Sequence, residues 1–221
     1  MAQEVFAIES GHPQAAAIES AARALAEGGL VLFPSDTCYI VGSLARVGMQ
    51  VSAGIDRLLG FKSLRGGPSF PWLVSDPDRL DIYGTEISDE ARTLAAAFWP
   101  GALTLVVKAS AAVPRSLVRR DGAIGLRVST SPIVSALLHT LERPIVTTGA
   151  RVPGAPNPLS FDQVDPRIVE AADVVIDGGS ADCQGRSTIV NCSHGPAHIL
   201  REGIIAREDI DAALGYRTPL V

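Results

Sequence analysis

The chain has 221 residues, 47% hydrophobic and 19% charged, a composition that excludes a fibre or a disordered chain and supplies core enough to fold without a disulfide or metal staple. Nineteen cations against twenty-four acids leave a net charge of −5, which excludes coating of nucleic acid by bulk charge. No apolar run reaches the roughly 18 residues of a membrane span. Three cysteines (Cys38, Cys183, Cys192) without C-x-x-C spacing, and no basic-then-apolar leader over 1–10, lead us to expect a reducing, cytoplasmic setting.

In chain order, Ile18, Ala21, Ala22 and Leu25 at helical spacing predict a helix over 14–27, stopped by Gly28-Gly29. Leu30 to Phe33 reads as a buried strand, ended by Pro34 and the polar turn Ser35-Asp36-Thr37. A second helix is expected from about Met49 to Leu59, opening into the loop Gly60 to Pro68. Ser88 can cap a helix reaching Phe98, and Ser131-Pro132 supplies a cap and N1 proline for one reaching Leu141. Strands are predicted at Phe70–Val74, Leu103–Lys108, Ile124–Val128, Pro144–Thr148, Val174–Asp177, Thr188–Asn191 and His198–Arg201. This alternation, with no linker, repeat or low-complexity tract, predicts one α/β domain over 1–221 with a mixed sheet and helices on its faces. The loop Gly149 to Ser160 holds three prolines and is long enough to be functional.

Several layouts are absent: G-x-x-x-x-G-K-[ST], G-x-G-x-x-G after a strand, G-x-S-x-G and H-E-x-x-H. Cys192, His194 and His198 have a spacing zinc could tolerate. Gly195-Pro196 breaks any helical arrangement and no fourth ligand lies near, so a turn with incidental histidines is favoured over a metal site. Lys62 and Arg65, with Gly66-Gly67, could grip a phosphate as point charge and planar fork, or form a solvated turn. The turn Ser35-Asp36-Thr37-Cys38-Tyr39 sits at a strand end, where α/β sheets hold ligands. It could orient a small polar substrate or only satisfy its own backbone, and Asp36 could be a general base or, the favoured reading, a cap of that turn. Between Gly101 and Arg127 the cations Lys108, Arg115, Arg119, Arg120 and Arg127 face one acid, Asp121. Either a phosphate-binding patch or an ordinary solvated face fits that count.

Taken in order, Leu30 to Tyr39 resembles the P-T-D-T-x-Y opening of YrdC-like domains, the threonylcarbamoyl-adenylate synthases. The resemblance continues through Phe98-Trp99-Pro100-Gly101-Ala102-Leu103-Thr104, Gly125-Leu126-Arg127-Val128, Ser187-Thr188-Ile189-Val190 and Leu200-Arg201-Glu202-Gly203, and spans about 15–203. It implies a twisted mixed sheet flanked by helices with a concave positive surface. The implied reaction joins L-threonine, bicarbonate and ATP into threonylcarbamoyl-adenylate with release of pyrophosphate, for t6A modification of tRNA. Mg²⁺ accompanies the ATP, no tightly bound cofactor is expected, and tRNA or double-stranded RNA is a candidate partner. By motif position Ser35, Thr37, Tyr39 and Arg127 would bind threonine and carbamate, while Lys62, Arg65, Thr148, Arg151, Ser187 and Arg201 would serve the nucleotide and its phosphates.

Two departures resemble the family's YciO-like branch. The basic loop keeps Lys62, but the following arginine slips one place to Arg65 and a later basic position becomes Pro68. The T-S-A-N-x-S-G segment reads Thr148-Gly149-Ala150-Arg151-Val152-Pro153-Gly154, without serine or asparagine. Losing a hydroxyl and an amide would remove about 1 to 3 kcal/mol each, one to four decades of rate together. Arg151 could compensate in part, because a guanidinium supplies several donors to an anion. The alternative is a paralogue that binds nucleotide or RNA without synthase activity, or that hydrolyses a related adenylate.

Overall fold

A computed structural model of the chain describes residues 3–9, 12–47, 50–60, 70–180 and 185–221. Lys62, Arg65 and Cys183 lie outside the described residues. The strands are β1 Glu4–Ala7, β2 Val31–Pro34, β3 Tyr39–Leu44, β4 Arg46–Val47, β5 Gln50–Val51, β6 Pro71–Leu73, β7 Leu103–Lys108, β8 Ala123–Arg127, β9 Ile145–Gly149, β10 Val174–Asp177, β11 Thr188–Asn191 and β12 His198–Arg201. The helices are α1 Ala15–Ala26, α2 Ala53–Gly60, α3 Arg79–Tyr83, α4 Asp89–Phe98, α5 Pro132–Leu141, α6 Pro166–Ala171 and α7 Arg207–Leu214. The result is the expected mixed α/β class, in two compact units: 1–65 with 130–185, and 66–129 with 186–221.

In the first unit the strands pair in the order β1-β10-β2-β3-β9. β1, β10 and β2 run parallel, and β3 is antiparallel to β2 and β9. The apolar spacing in α1 puts Ile18, Ala21, Ala22 and Leu25 on one buried face, and the helix packs on α5. Full burial of a leucine such as Leu25 or Leu32 stabilises the fold by about 1.5–3 kcal/mol. Gly28, at φ 84°, ends the helix in the left-handed region, and Gly29 N donates to Ala24 O at 2.8 Å.

In the second unit the order is β6-β8-β7-β11-β12. β6 is parallel to β8, β7 is antiparallel to β8 and parallel to β11, and β12 is antiparallel to β11. α4 lies on β7 and against α7. Ser88 Oγ accepts from Ala91 N at 3.2 Å, and in the first unit Ser131 Oγ accepts from Val134 N at 3.5 Å. The two predicted caps therefore start α4 and α5 where expected.

One expected element is corrected. The helix predicted from Met49 begins at Ala53, because Gln50 and Val51 pair as β5 with Val47 and Arg46. The Ser52 hydroxyl bonds the Ser43 hydroxyl at 2.7 Å and Gly54 N donates to Gly28 O at 2.8 Å. These tertiary bonds fix the segment where periodicity alone would have continued the helix. Among the described residues no helix is long and apolar enough to cross a membrane.

Candidate functional site

Strand direction decides which loops share an edge. In the first unit the carboxyl ends of β2, β9 and β10 lie on one edge, and β3 starts there. That edge carries the turn 35–38, the loop 150–160 and Gly178-Gly179. Edges of this kind expose backbone donors beside side chains, which is why ligands of α/β sheets collect there.

The turn 35–38 is built around Ser35. Its Oγ accepts from Thr37 N and Cys38 N at 3.2 Å each and donates to Cys38 O at 2.7 Å. The Ser35 and Thr37 hydroxyls share a hydrogen bond of 3.1 Å, and both residues are buried. Serine thus ties the turn. Tyr39 is fully buried; its hydroxyl accepts from Gly178 N and donates to Gly179 O, both at 2.9 Å. Tyr39 is therefore a post joining two loops of the edge. Its backbone does the same for a third, donating from N to Pro158 O and accepting from Ala150 N, each at 2.9 Å. Thr148 is buried at the end of β9 opposite Val41. Arg151 is exposed, and its Nη1 donates to Ala155 O at 2.9 Å within its own loop.

In the second unit the amino ends of β7 and β11 meet the carboxyl ends of β8 and β12. This places Arg127, Thr104, Ser187 and Arg201 on one edge. Arg127 is buried and its Nε donates to Gly101 O at 3.0 Å. Arg201 closes on Ser187: Nε and Nη2 donate to Ser187 O at 3.2 and 2.7 Å, and Nη2 also reaches Ser187 Oγ at 3.1 Å. Ser187 Oγ and Thr104 Oγ1 share a hydrogen bond of 3.0 Å. Sequence reasoning assigned Ser187 and Arg201 together but gave Thr104 no role. Its signal was its place at the end of the Phe98 to Thr104 motif. That motif is held by Trp99 Nε1 donating to Leu103 O at 2.8 Å and by Gly101 N donating to Val128 O at 2.8 Å.

Two of the five cations between 101 and 127 are paired with acids. Lys108 Nζ sits 2.5 Å from Glu86 Oε2 and Arg119 Nη2 2.9 Å from Asp121 Oδ2. The Lys108 ammonium holds the Glu86 carboxyl below its ordinary value, as the Arg119 fork does for Asp121. Cys192 and His194 belong to a turn: Cys192 is buried, His194 Nε2 lies 3.1 Å from Asp121 O, and His198 bonds Asn191. Among the described residues no cluster of His, Cys, Asp or Glu could hold a metal.

Against known proteins, a family profile for Sua5, YciO and YrdC proteins, described as "Telomere recombination", matches residues 23–203. The chain belongs to the Sua5/YciO/YrdC family. A threonylcarbamoyl-AMP synthase of Pyrococcus abyssi is 31% identical over 198 residues, covering 90% of this chain but 57% of that protein. The chain thus spans little more than half the length of that relative. The crystal structure of P. abyssi Sua5 complexed with L-threonine superposes with a TM-score of 0.86 at 28% identity, covering 98% of this chain and 62% of that one. Escherichia coli YciO superposes with a TM-score of 0.83 at 25% identity, covering 94% of this chain and 99% of that one. Both branches named by the resemblance are therefore among its relatives.

Proposed function

We propose that this member of the family makes threonylcarbamoyl-adenylate from L-threonine, bicarbonate and Mg·ATP, releasing pyrophosphate, as a step toward t6A in tRNA. The observation that carries the reading is the second-unit edge, where Arg127, Ser187, Arg201 and Thr104, drawn from four separate motifs, come together. Support also comes from the P. abyssi relatives, one named for this synthase and one complexed with L-threonine.

The chemistry is positioning. Bicarbonate and the threonine amine condense to a carbamate with loss of water; a carbamate oxygen then attacks the α-phosphorus, and the bond to pyrophosphate breaks. No protein nucleophile is required, so the gain comes from orientation and from donors aimed at developing charge. By motif position Ser35, Thr37, Tyr39 and Arg127 are assigned to threonine and carbamate, with Tyr39 tying the loops around the Ser35 turn. Thr148, Arg151, Ser187 and Arg201 are assigned to the nucleotide, joined by Lys62 and Arg65 from outside the described residues. Mg²⁺ enters with ATP as substrate and neutralises the leaving group. The setting is cytoplasmic, in keeping with free, buried Cys38 and Cys192.

Purified chain with Mg·ATP is expected to release pyrophosphate only when both L-threonine and bicarbonate are present. Absence of that dependence at high enzyme concentration rejects the reading. One observation favours a second reading: Gly149 and Arg151 stand where the family carries serine and asparagine. Under it the chain binds nucleotide or RNA, or hydrolyses a related adenylate, and Mg·ATP binds with no threonine-dependent pyrophosphate.

A further inference from the structure

The space left by the missing serine is filled. A Cβ on Gly149 would lie 2.5 Å from Asn157 Oδ1 and 3.1 Å from its Cγ, well inside ordinary van der Waals separation. The Asn157 side chain lies across the Gly149 Cα, so a serine at 149 and this placement of Asn157 exclude each other. Glycine at 149 and asparagine at 157 read as one exchange rather than two losses.

The placement of Asn157 follows from the backbone. Tyr39 clamps both ends of the loop, accepting from Ala150 N and donating to Pro158 O at 2.9 Å each, and inside it Ala155 N donates to Val152 O at 3.1 Å. Arg151 Nη1 reaches Ala155 O and braces the middle. The Asn157 carboxamide is half-buried, and no hydrogen bond among the described residues engages it. An amide of this kind offers two N–H donors. It stands at the carboxyl end of β9, on the edge that carries the Ser35 turn, in one loop with the guanidinium of Arg151. Arg151 already spends one donor on Ala155 O, whereas the Asn157 carboxamide has both N–H groups to offer; an amide in a loop that also carries a guanidinium suits an anion, and in a nucleotide site that anion is a phosphate.

We propose that Asn157 supplies the carboxamide that holds the phosphate chain of ATP in this protein, a part that the family pattern gives to the 148–154 segment. The inference rests on the nucleotide reading above.

Titration calorimetry of the full chain with Mg·ATP and, separately, with AMP tests it, with thermal melts to establish folding. Asn157→Ala is expected to weaken Mg·ATP about tenfold and AMP by less than about twofold, with little change in melting temperature. Asn157→Asp keeps the volume but sets a carboxylate against the phosphates, so it weakens Mg·ATP more than alanine does; a structural role would leave it near wild type. Gly149→Ser restores the family's hydroxyl yet displaces the carboxamide, and is expected to weaken Mg·ATP as well. Wild-type affinity in Asn157→Ala and Asn157→Asp, or tighter binding in Gly149→Ser, overturns the inference and leaves the nucleotide reading standing. A wild-type chain that binds neither nucleotide overturns both.

Discussion

Gly203 shows why one residue of the Leu200-Arg201-Glu202-Gly203 motif admits no side chain. A Cβ there would lie 2.2 Å from Arg186 O and 2.6 Å from the Ser187 carbonyl carbon, and both atoms are backbone, which cannot rotate aside. The close approach is what lets Gly203 N donate to Thr188 Oγ1 at 2.9 Å and Ile204 N to Arg186 O at 3.0 Å. Ser187, the partner of Arg201, is held by the same contact. Gly203→Ala should therefore cost about 1–3 kcal/mol by overpacking, seen as a fall of several degrees in melting temperature, and should weaken nucleotide binding by shifting Ser187. A wild-type melt would show that the backbone yields at no cost. The sequence marks this glycine as part of a motif, but its reason is a backbone contact with the segment entering β11, which the local pattern does not show. Residue-scale chemistry at the Ser35 turn was more legible, since a serine can tie a turn with bonds two and three residues ahead, and the structure shows that serine doing so.

At the scale of elements, Asp173 joins three of them. It accepts from Leu30 N, just before β2, at 2.7 Å, and from Arg57 Nη1 of α2 at 3.2 Å, while Arg57 Nη1 also donates to Ala171 O at the end of α6 at 2.9 Å. Burial pushes the Asp173 carboxyl up, but the Arg57 guanidinium and the Leu30 N–H outweigh it and hold the group below its ordinary value. A carboxyl lowered by folding contributes stability that is present above its unfolded value, about 3.9, and lost as pH falls through the folded one. Asp173→Asn should cost about 1–2 kcal/mol at pH 7, discounted toward the lower figure because Arg57 is partly solvated. The gap between variant and wild type in urea denaturation should narrow as pH falls below about 3.9; a gap independent of pH would assign the effect to packing. Elements with local signals were legible in the sequence: α4 and α5 through their caps, and β7, β10, β11 and β12 through apolar runs. β3 was missed because it is buried throughout, which removes alternation, and because Gly42 and Ser43 are poor strand formers. Gly42 is there because a Cβ would meet Ile145 Cγ2 at 2.7 Å, a tertiary fact. α6 carried a readable signal, Asp165-Pro166, with Asp165 accepting from Arg167 N at 2.9 Å, the same cap-and-proline pattern that located α5. α7 buries only Ile210 and ends at Gly215 in the left-handed region, so its stop was readable while its face was not.

For the whole molecule, charge decides how far an RNA partner can compete with a small-molecule role. The chain carries a net charge of −5, so attraction to a polyanion must come from a local face. The cation run 101–127 loses Lys108 to Glu86 and Arg119 to Asp121, and Arg127 is buried on Gly101 O. Arg115 and Arg120 enter no ion pair among the described residues. Each phosphate neutralised on a duplex contributes about −0.9 to the log–log slope of affinity against salt, so two contacts give a slope of about −2, near a tenfold loss between 50 and 200 mM. Fluorescence anisotropy with a duplex RNA over that range is expected to show a slope no steeper than about −2, and Arg115→Gln with Arg120→Gln together should flatten it. A slope of about −5 or steeper, unchanged by those substitutions, would place a phosphate-tracking face elsewhere and favour the RNA-binding paralogue over the synthase. The sequence count alone favoured the solvated face over the patch by only a narrow margin, because ion pairing between Lys108 and Glu86 spans a turn and two elements that periodicity does not bring together.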